Sequence, residues 1–264
     1  MSGPLTIAVA QTAAGVGKVE ENVSAIEERI GRLAARAELV LFPELFTTGY
    51  RRDGMDHASL AEAIPGGPTF SRLAEAARSA RLSLAGTMLE RDGDRVYDTA
   101  IVISPAGELV ARYRKTHLYP AELPYFSRGD ELVVAKLANG VSVGLAICFE
   151  HAFPEIFTAL ALGGAGLILI PSAVPRGYEY LLDLRTRARA QDNQVYVAAA
   201  NLVGFDGETE WCGRSAVVDP RGTVIAQAGD DGEAEISATI DPSLIERERR
   251  QEPALAYRRP DLYR

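Results

Sequence analysis

Three short stretches of this 264-residue chain carry side chains able to do chemistry. Cys148 stands in GLAICFEHAFPE (144–155), where an apolar run gives way to polar, charged and proline residues. Glu44 stands in LFPELFTTGY (41–50), directly behind an apolar run and a proline, and RYRKTHLYPAELPYF (112–126) holds Lys115 and Glu122. The thiolate is the nucleophilic form of cysteine, and it needs a base or a positive neighbour to form near neutral pH. A buried carboxylate is costly unless paired or neutral, so a glutamate closing a buried strand marks either a site or a helix N-cap. Alone, an apolar-flanked cysteine is more often a packing residue than a catalytic one. Beside an amine and two carboxylates that also fall at strand ends, it reads as the nucleophile of an α/β active site.

Other chemistries lack their residues. GVGKV (15–19) has Thr12 where a P-loop needs its first glycine and Val19 where it needs a magnesium-binding hydroxyl. GGAG (163–166) follows a helical stretch and completes no dinucleotide fingerprint. His57, His117 and His151 are scattered and no Cys-x-x-Cys occurs, so no metal site is expected. The Gly-x-Ser-x-Gly elbow of serine hydrolases is absent. A cysteine hydrolase with His117 or His151 as its base stays open, since histidine is the usual partner of a catalytic thiol.

The elements that must position these groups alternate between β-rich runs and amphipathic helices. LTIAVA (5–10) reads as a buried strand, followed by a helix with Val23, Ile26, Ile30 and Leu33 on one face, and ELVLFPE (38–44) as a strand stopped by Pro43. PTFSRLAEAARSARL reads as a helix and SLAGTML, YDTAIVIS, GELVARYRK, VSVGLAI and GLILIPS as strands, with a helix over about 153–162 between the last two. YLLDLRTRARAQDN predicts a helix, QVYVAAAN a strand, and RSAVVDPRGTVIAQA a hairpin turning at Pro220-Arg221-Gly222. The pattern is a layered α/β domain with mixed strand directions and no internal repeat.

Composition bounds the setting. A chain that is 47% hydrophobic can bury a large core without disulfides, and no low-complexity stretch divides it, so one domain over 1–264 is expected. A net charge of −8 argues against a nucleic-acid partner. No apolar run approaches the roughly 18 residues of a membrane span, and MSGPLTIAVAQTAAG lacks a signal-type pattern, which predicts a cytoplasmic protein with no membrane partner. Cys148 and Cys212 are then free thiols, Cys212 a structural one.

FPE with Glu44, RKTHL with Lys115, ICFEHAFPE with Cys148, ARAQDNQVYVAAAN and the final RRPDLY occur in this order. Together they resemble the nitrilase superfamily of carbon–nitrogen hydrolases over nearly the whole chain. The resemblance implies a four-layer αββα sandwich, a Glu44-Lys115-Cys148 triad, and Glu122 as a second active-site glutamate. It implies no cofactor and no metal. It also implies pairing into a homodimer or higher even-numbered homo-oligomer, with the tail over about 245–264 lying across a partner subunit. By similarity to segments that line the family's cleft, Tyr50, Phe149, Ala173 and Val174 are the expected substrate-binding residues.

A thiol of ordinary pKa is only about 3% ionised at pH 7, and making the thiolate predominant takes about 3 kcal/mol. One ammonium about 4 Å away supplies on the order of 4 kcal/mol at an effective dielectric of 20. Lys115 is therefore expected to ionise Cys148 while Glu44 accepts its proton. Many family members read Cys-Tyr-Asp-x-Arg-Phe-Pro-Glu, whereas this chain has Glu150 and Ala152 at the Asp and Arg positions. The missing arginine, which grips a substrate carboxylate in carbamoyl amino-acid hydrolases, points to a small neutral carboxamide as substrate. Cys148-Phe149-Glu150-His151 also resembles the Cys-Trp-Glu-His of nitrilases proper. Nitrilase, N-carbamoyl amidohydrolase, acyl transferase and inactive binding module are the alternatives.

Overall fold

The computed structural model describes residues 3–51 and 53–262. In chain order its first half holds β1 (Leu5–Gln11), α1 (Val19–Leu33), β2 (Leu39–Leu41), α2 (His57–Leu60), α3 (Pro68–Ala80), β3 (Ser83–Asp92), β4 (Arg95–Ile103) and β5 (Leu109–Arg114). The second half holds β6 (Val134–Lys136), β7 (Ser142–Leu145), α4 (Pro154–Leu162), β8 (Leu167–Ser172), α5 (Glu179–Asn193), β9 (Tyr196–Asn201), β10 (Val203–Phe205), β11 (Glu210–Cys212), β12 (Ala216–Val218), β13 (Val224–Gln227), β14 (Ala234–Ile240) and α6 (Pro242–Gln251).

Two six-stranded sheets result, ordered β14-β1-β2-β3-β4-β5 and β13-β12-β9-β8-β7-β6. β1, β2 and β3 run parallel, as do β7, β8 and β9, and antiparallel strands extend both sheets. The sequence reading assigned no element to β6, β10, β11, β14, α2 or α6. β14 pairs along all of β1, Leu5 opposite Ile240 and Gln11 opposite Ala234.

The period-2 alternation of each central strand feeds two cores at once. Ile7 and Val9 of β1, Ala100 and Val102 of β4, and Leu167 and Leu169 of β8 meet between the sheets. The intervening Ala8, Ala10, Ile101 and Ile103 pack beneath Ile26, Ile30 and Leu33 of α1 and Phe70, Leu73 and Ala77 of α3. On the far side Ile168 and Ile170 pack under Ile156, Phe157 and Leu160 of α4 and Leu182 and Ala190 of α5. The layers are therefore helix, sheet, sheet, helix, the αββα sandwich that the resemblance implied.

The chain leaving three of the parallel strands carries a candidate site residue or a wall of the cavity. Pro43-Glu44 leaves β2, Ile147-Cys148 leaves β7, and Ala173-Val174 leaves β8. The Glu44 loop is pinned by the rings of Phe42 and Phe46, stacked with centroids 5.0 Å apart. Gly86 of β3 makes room for them, since a Cβ there would meet a Phe46 ring carbon at 2.6 Å. Gly86→Ala is expected to lower stability by about 1–3 kcal/mol through overpacking against Phe46. Denaturant titration checks this, and an unchanged midpoint would show that the ring yields without cost.

Candidate active site

Lys115, one residue beyond β5, is 1% exposed, and Glu44 and Glu122 are fully buried. Its Nζ donates to Glu44 Oε1 at 2.6 Å and to Glu122 Oε1 at 2.8 Å. Glu122 lies in a 3₁₀ turn over Pro120–Glu122 that is closed by its own side chain, whose Oε2 accepts the Tyr119 N–H at 2.7 Å. Its Oε1 also accepts the Tyr50 hydroxyl at 2.6 Å.

Asp98 of β4 completes the cluster and had no role in the sequence reading. It is fully buried, its Oδ2 is 3.7 Å from Lys115 Nζ, and its carbonyl accepts the Lys115 N–H at 2.9 Å. Carboxylate oxygens of Glu44, Asp98 and Glu122 lie within 4.8 Å of one another, a spacing that suits a cation. The Lys115 ammonium is that cation.

Cys148 opens a 3₁₀ turn over Cys148–Ala152 with φ at +41°, left-handed backbone that costs energy for any residue but glycine. Leu45, next to Glu44, is left-handed too, at +47°, and its N–H donates to Thr87 Oγ1 at 2.8 Å. The Ala173 backbone N–H and the Lys115 ammonium favour the Cys148 thiolate, while Glu44 and Glu122 oppose it.

The titration of this cluster corrects one expectation. Burial and the Glu44 carboxylate push the Cys148 thiol well above its ordinary range, outweighing Lys115 and the Ala173 N–H. Lys115 does not ionise the resting thiol, because its charge is already shared by two carboxylates in hydrogen-bond contact. Burial alone would strip the Lys115 proton, but Glu44, Glu122 and Asp98 hold its pKa well above the usual lysine range. Burial raises Glu44 strongly against the pull of Lys115, with Asp98 and Glu122 adding to the rise. Asp98 is likewise raised by burial. Three buried carboxylates facing one ammonium make both Glu44 and Asp98 stronger bases than ordinary carboxylates.

Two clamps hold the segments together. Glu150 Oε1 accepts the Tyr113 hydroxyl at 2.6 Å, the Thr116 N–H and hydroxyl at 2.9 and 2.7 Å, and the His117 N–H at 3.0 Å. Its Oε2 accepts the Ile147 N–H at 2.8 Å, so one carboxylate ties the chain after Lys115 to the chain before Cys148. Burial opposes its charge, yet hydrogen bonds from His117, Tyr113 and Thr116 bring its pKa below the usual carboxylate range. Asn201, ending β9, accepts the Val174 N–H at 2.7 Å and donates to the Gly213 carbonyl at 2.8 Å, fixing the strand end that presents Ala173.

Above Cys148 lies a cavity of about 330 Å³. Tyr50, Phe149, Ala173 and Val174 all lie on its wall, with Glu122, Trp211, His151 and Arg185. Glu150 and Ala152, the positions used to argue for a neutral substrate, do not line it. Phe149 packs edge-on against Tyr119 and Phe153. His151 is pushed down to about 3 by burial and by Arg185 and Arg189, which leaves it a feeble base. His117, half-exposed, stacks on Phe153 and is drawn upward by its bond to Glu150. Burial pushes Cys212 up to about 12, in keeping with an inert packing thiol.

The family model described as carbon–nitrogen hydrolase matches residues 6–250. A hydrolase in the pqqF 5′ region of Pseudomonas protegens is 38% identical over 87% of this chain and 81% of its own length. The crystal structure of Saccharomyces cerevisiae Nit3, a member of branch 10 of the nitrilase superfamily, superposes with a TM-score of 0.89 at 30% identity, over 96% of each chain. A mutant of the amidase from Nesterenkonia sp. AN1, with the acetamide moiety of fluoroacetamide covalently added at its active-site cysteine, superposes with a TM-score of 0.87 at 27% identity, over 98% of this chain and 95% of that one.

Glu150→Gln exchanges a charged acceptor for an amide that cannot satisfy all five donors, and the expected loss is at least about 2 kcal/mol of folding stability at neutral pH. Because the folded pKa of Glu150 lies below its unfolded value, this contribution is complete above the usual carboxylate range and disappears as pH falls through the folded pKa. Denaturation of both proteins over a pH series should therefore show their difference narrowing in acid. A difference that does not change with pH would contradict the clamp.

Proposed function

The chain belongs to the carbon–nitrogen hydrolase family of the nitrilase superfamily, and we propose that it is an amidase that hydrolyses small linear carboxamides to a carboxylic acid and ammonia through a thioester on Cys148. The observation that carries this reading is the fully buried Lys115 ammonium, 2.6 and 2.8 Å from Glu44 and Glu122, beside a cysteine held in a left-handed turn at the floor of a cavity.

In this reading Glu44 takes the Cys148 proton as the sulfur bonds to the amide carbon, and the carbonyl electron pair moves to oxygen. The raised pKa of Glu44 brings it nearer that of the thiol, so the transfer is less uphill than to an ordinary carboxylate. An ammonium has three N–H donors, and Lys115 spends two on Glu44 and Glu122. The third N–H and the Phe149 backbone N–H receive the oxyanion, and a donor of this kind contributes about 3–4 kcal/mol. The C–N bond breaks as Glu44 returns the proton to nitrogen, and ammonia leaves. Water then attacks the thioester, giving its proton to Glu44, and the acid and the free thiol are restored.

Glu122 holds Lys115 and, with Tyr50, faces the substrate amide. No metal or cofactor enters this cycle. Ala152 lies off the cavity wall, so it sets no preference for a neutral acyl end. A cytoplasmic location remains our reading. An even-numbered homo-oligomer fits the exposed Tyr180 and Leu184 on α5 and the exposed Tyr257 and Leu262 of the tail. Tyr263 and Arg264, which end that tail, lie outside the described residues.

Ammonia release from a panel of short amides, N-carbamoyl compounds and nitriles tests the reading. Amides are expected to be the best substrates. Cys148→Ala and Glu44→Gln should each lower kcat by at least about 10³-fold with the fold retained. His117→Asn should keep most of the activity. Hydrolysis by the Cys148→Ala protein would sink the thioester route, and a silent His117→Asn protein with its fold intact would favour a Cys-His enzyme. Asp98 raises Glu44 by its charge. Asp98→Asn should therefore lower the Glu44 pKa and move the acid limb of the kcat/KM profile to lower pH. An unmoved limb would remove Asp98 from the cluster that tunes the base.

A further inference from the structure

We propose that the β10–β11 hairpin is the specificity element of this site, and that the indole of Trp211, which the hairpin carries, sets the length limit of the acyl group the cavity admits. This rests on the amide-hydrolysis reading above and assigns a residue to the selectivity of the same site.

The nitrogen end of a bound amide has little room to grow. Glu44, which must reach that nitrogen, is fully buried, and Lys115 and Glu122 beside it are sealed as closely. The open space, about 330 Å³, lies instead over Cys148, with Val174, Pro175, Leu181 and Trp211 as its apolar wall. An acyl chain bonded to the sulfur has to run along that wall.

Trp211 is the largest side chain of the wall, and it comes from neither six-stranded sheet. β10 and β11 pair only with each other, as a two-stranded sheet joined by the turn over 206–209. The Cys212 N–H donates to the Val174 carbonyl at 3.0 Å and Trp211 bridges to Pro175, so the hairpin lies along the chain that leaves β8. The indole is buried and meets Tyr50 edge-on, ring centroids 5.5 Å apart. The Tyr50 hydroxyl is in turn held on Glu122 at 2.6 Å, so the indole cannot swing toward it to make room for a longer chain.

Two arginines from other loops latch the hairpin. Arg51 donates to the Asp206 carbonyl at 2.8 Å and pairs with Glu208 at 3.5 Å, and Arg176 pairs with Glu210 at 2.9 Å. These partly exposed pairs add little to global stability, and their effect is to fix where the hairpin stands. Each can be removed without touching the buried charges beneath Cys148.

The test measures kcat/KM for ammonia release from the straight-chain amides acetamide to octanamide, and acetate release from N-methylacetamide and N-ethylacetamide. The native protein is expected to lose about tenfold or more within about two carbons beyond its best substrate, the discrimination an apolar pocket exerts on one or two methylenes. Trp211→Ala should move that fall to longer chains and lift the first rejected amide by about tenfold or more, with Trp211→Phe moving it less. Arg51→Gln leaves the indole in place but frees the hairpin, and should blunt the fall, mainly through the KM of the longer amides. A Trp211→Ala protein with the same cut-off, or one that slows every length alike, would overturn the inference. So would a gain for the N-alkylated amides alone, which would place Trp211 against the leaving nitrogen. If the alanine protein does not fold, an unmoved cut-off in both Trp211→Phe and Arg51→Gln overturns it instead. A native protein that hydrolyses every length equally well sinks this inference and spares the amidase reading, whereas one that hydrolyses none sinks both.

Discussion

A single ammonium surrounded by carboxylates is what the rest of this molecule is arranged around. Lys115 touches Glu44 and Glu122 and lies 3.7 Å from Asp98, all four groups sealed from water. None of them would be tolerated there alone, because an unpaired buried charge costs several kcal/mol. The ammonium stabilises the carboxylates and they stabilise it, and the set survives only while the four backbone segments that carry them keep their places. The surrounding architecture can be understood as the means of keeping them there.

Those means are short-range and specific. Parallel strands bring Glu44, Cys148 and Ala173 to one edge, and the Glu150 carboxylate and the Asn201 amide then lock the loops that leave the strands. Backbone strain sits where it is useful. Leu45, next to Glu44, and Cys148 both adopt left-handed angles, and the Leu45 N–H is held by Thr87 Oγ1. The αββα layering supplies the rigid platform through strands whose alternate residues feed an inner and an outer core.

Much of this was legible in the sequence, and the reasons are particular. Central strands such as LTIAVA and GLILIPS announce themselves because both faces are buried and the run is continuously apolar. Glu44 and Cys148 stand out because each closes such a run, and Lys115 because it ends the strand read in GELVARYRK. Three-residue strands such as β6, β10 and β11 are too short for periodicity to register. β14, by contrast, alternates Ile236, Ala238 and Ile240 with polar residues, a signal that was there to read. Asp98 could not be found, since an aspartate inside YDTAIVIS looks like an outward-facing residue until β3 and β5 are known to enclose β4. Nor could Arg185 be told from Arg187 and Arg189 before α5 was oriented. The thiolate expected from one nearby ammonium failed because that estimate counted Lys115 alone, without the two acids that share its charge.

The resting state of Cys148 has a consequence beyond turnover. Peroxides and soft electrophiles react with thiolates, and a sulfur that keeps its proton at neutral pH offers them little. The same burial that makes the Cys148 thiol slow to ionise therefore also shields it from oxidation.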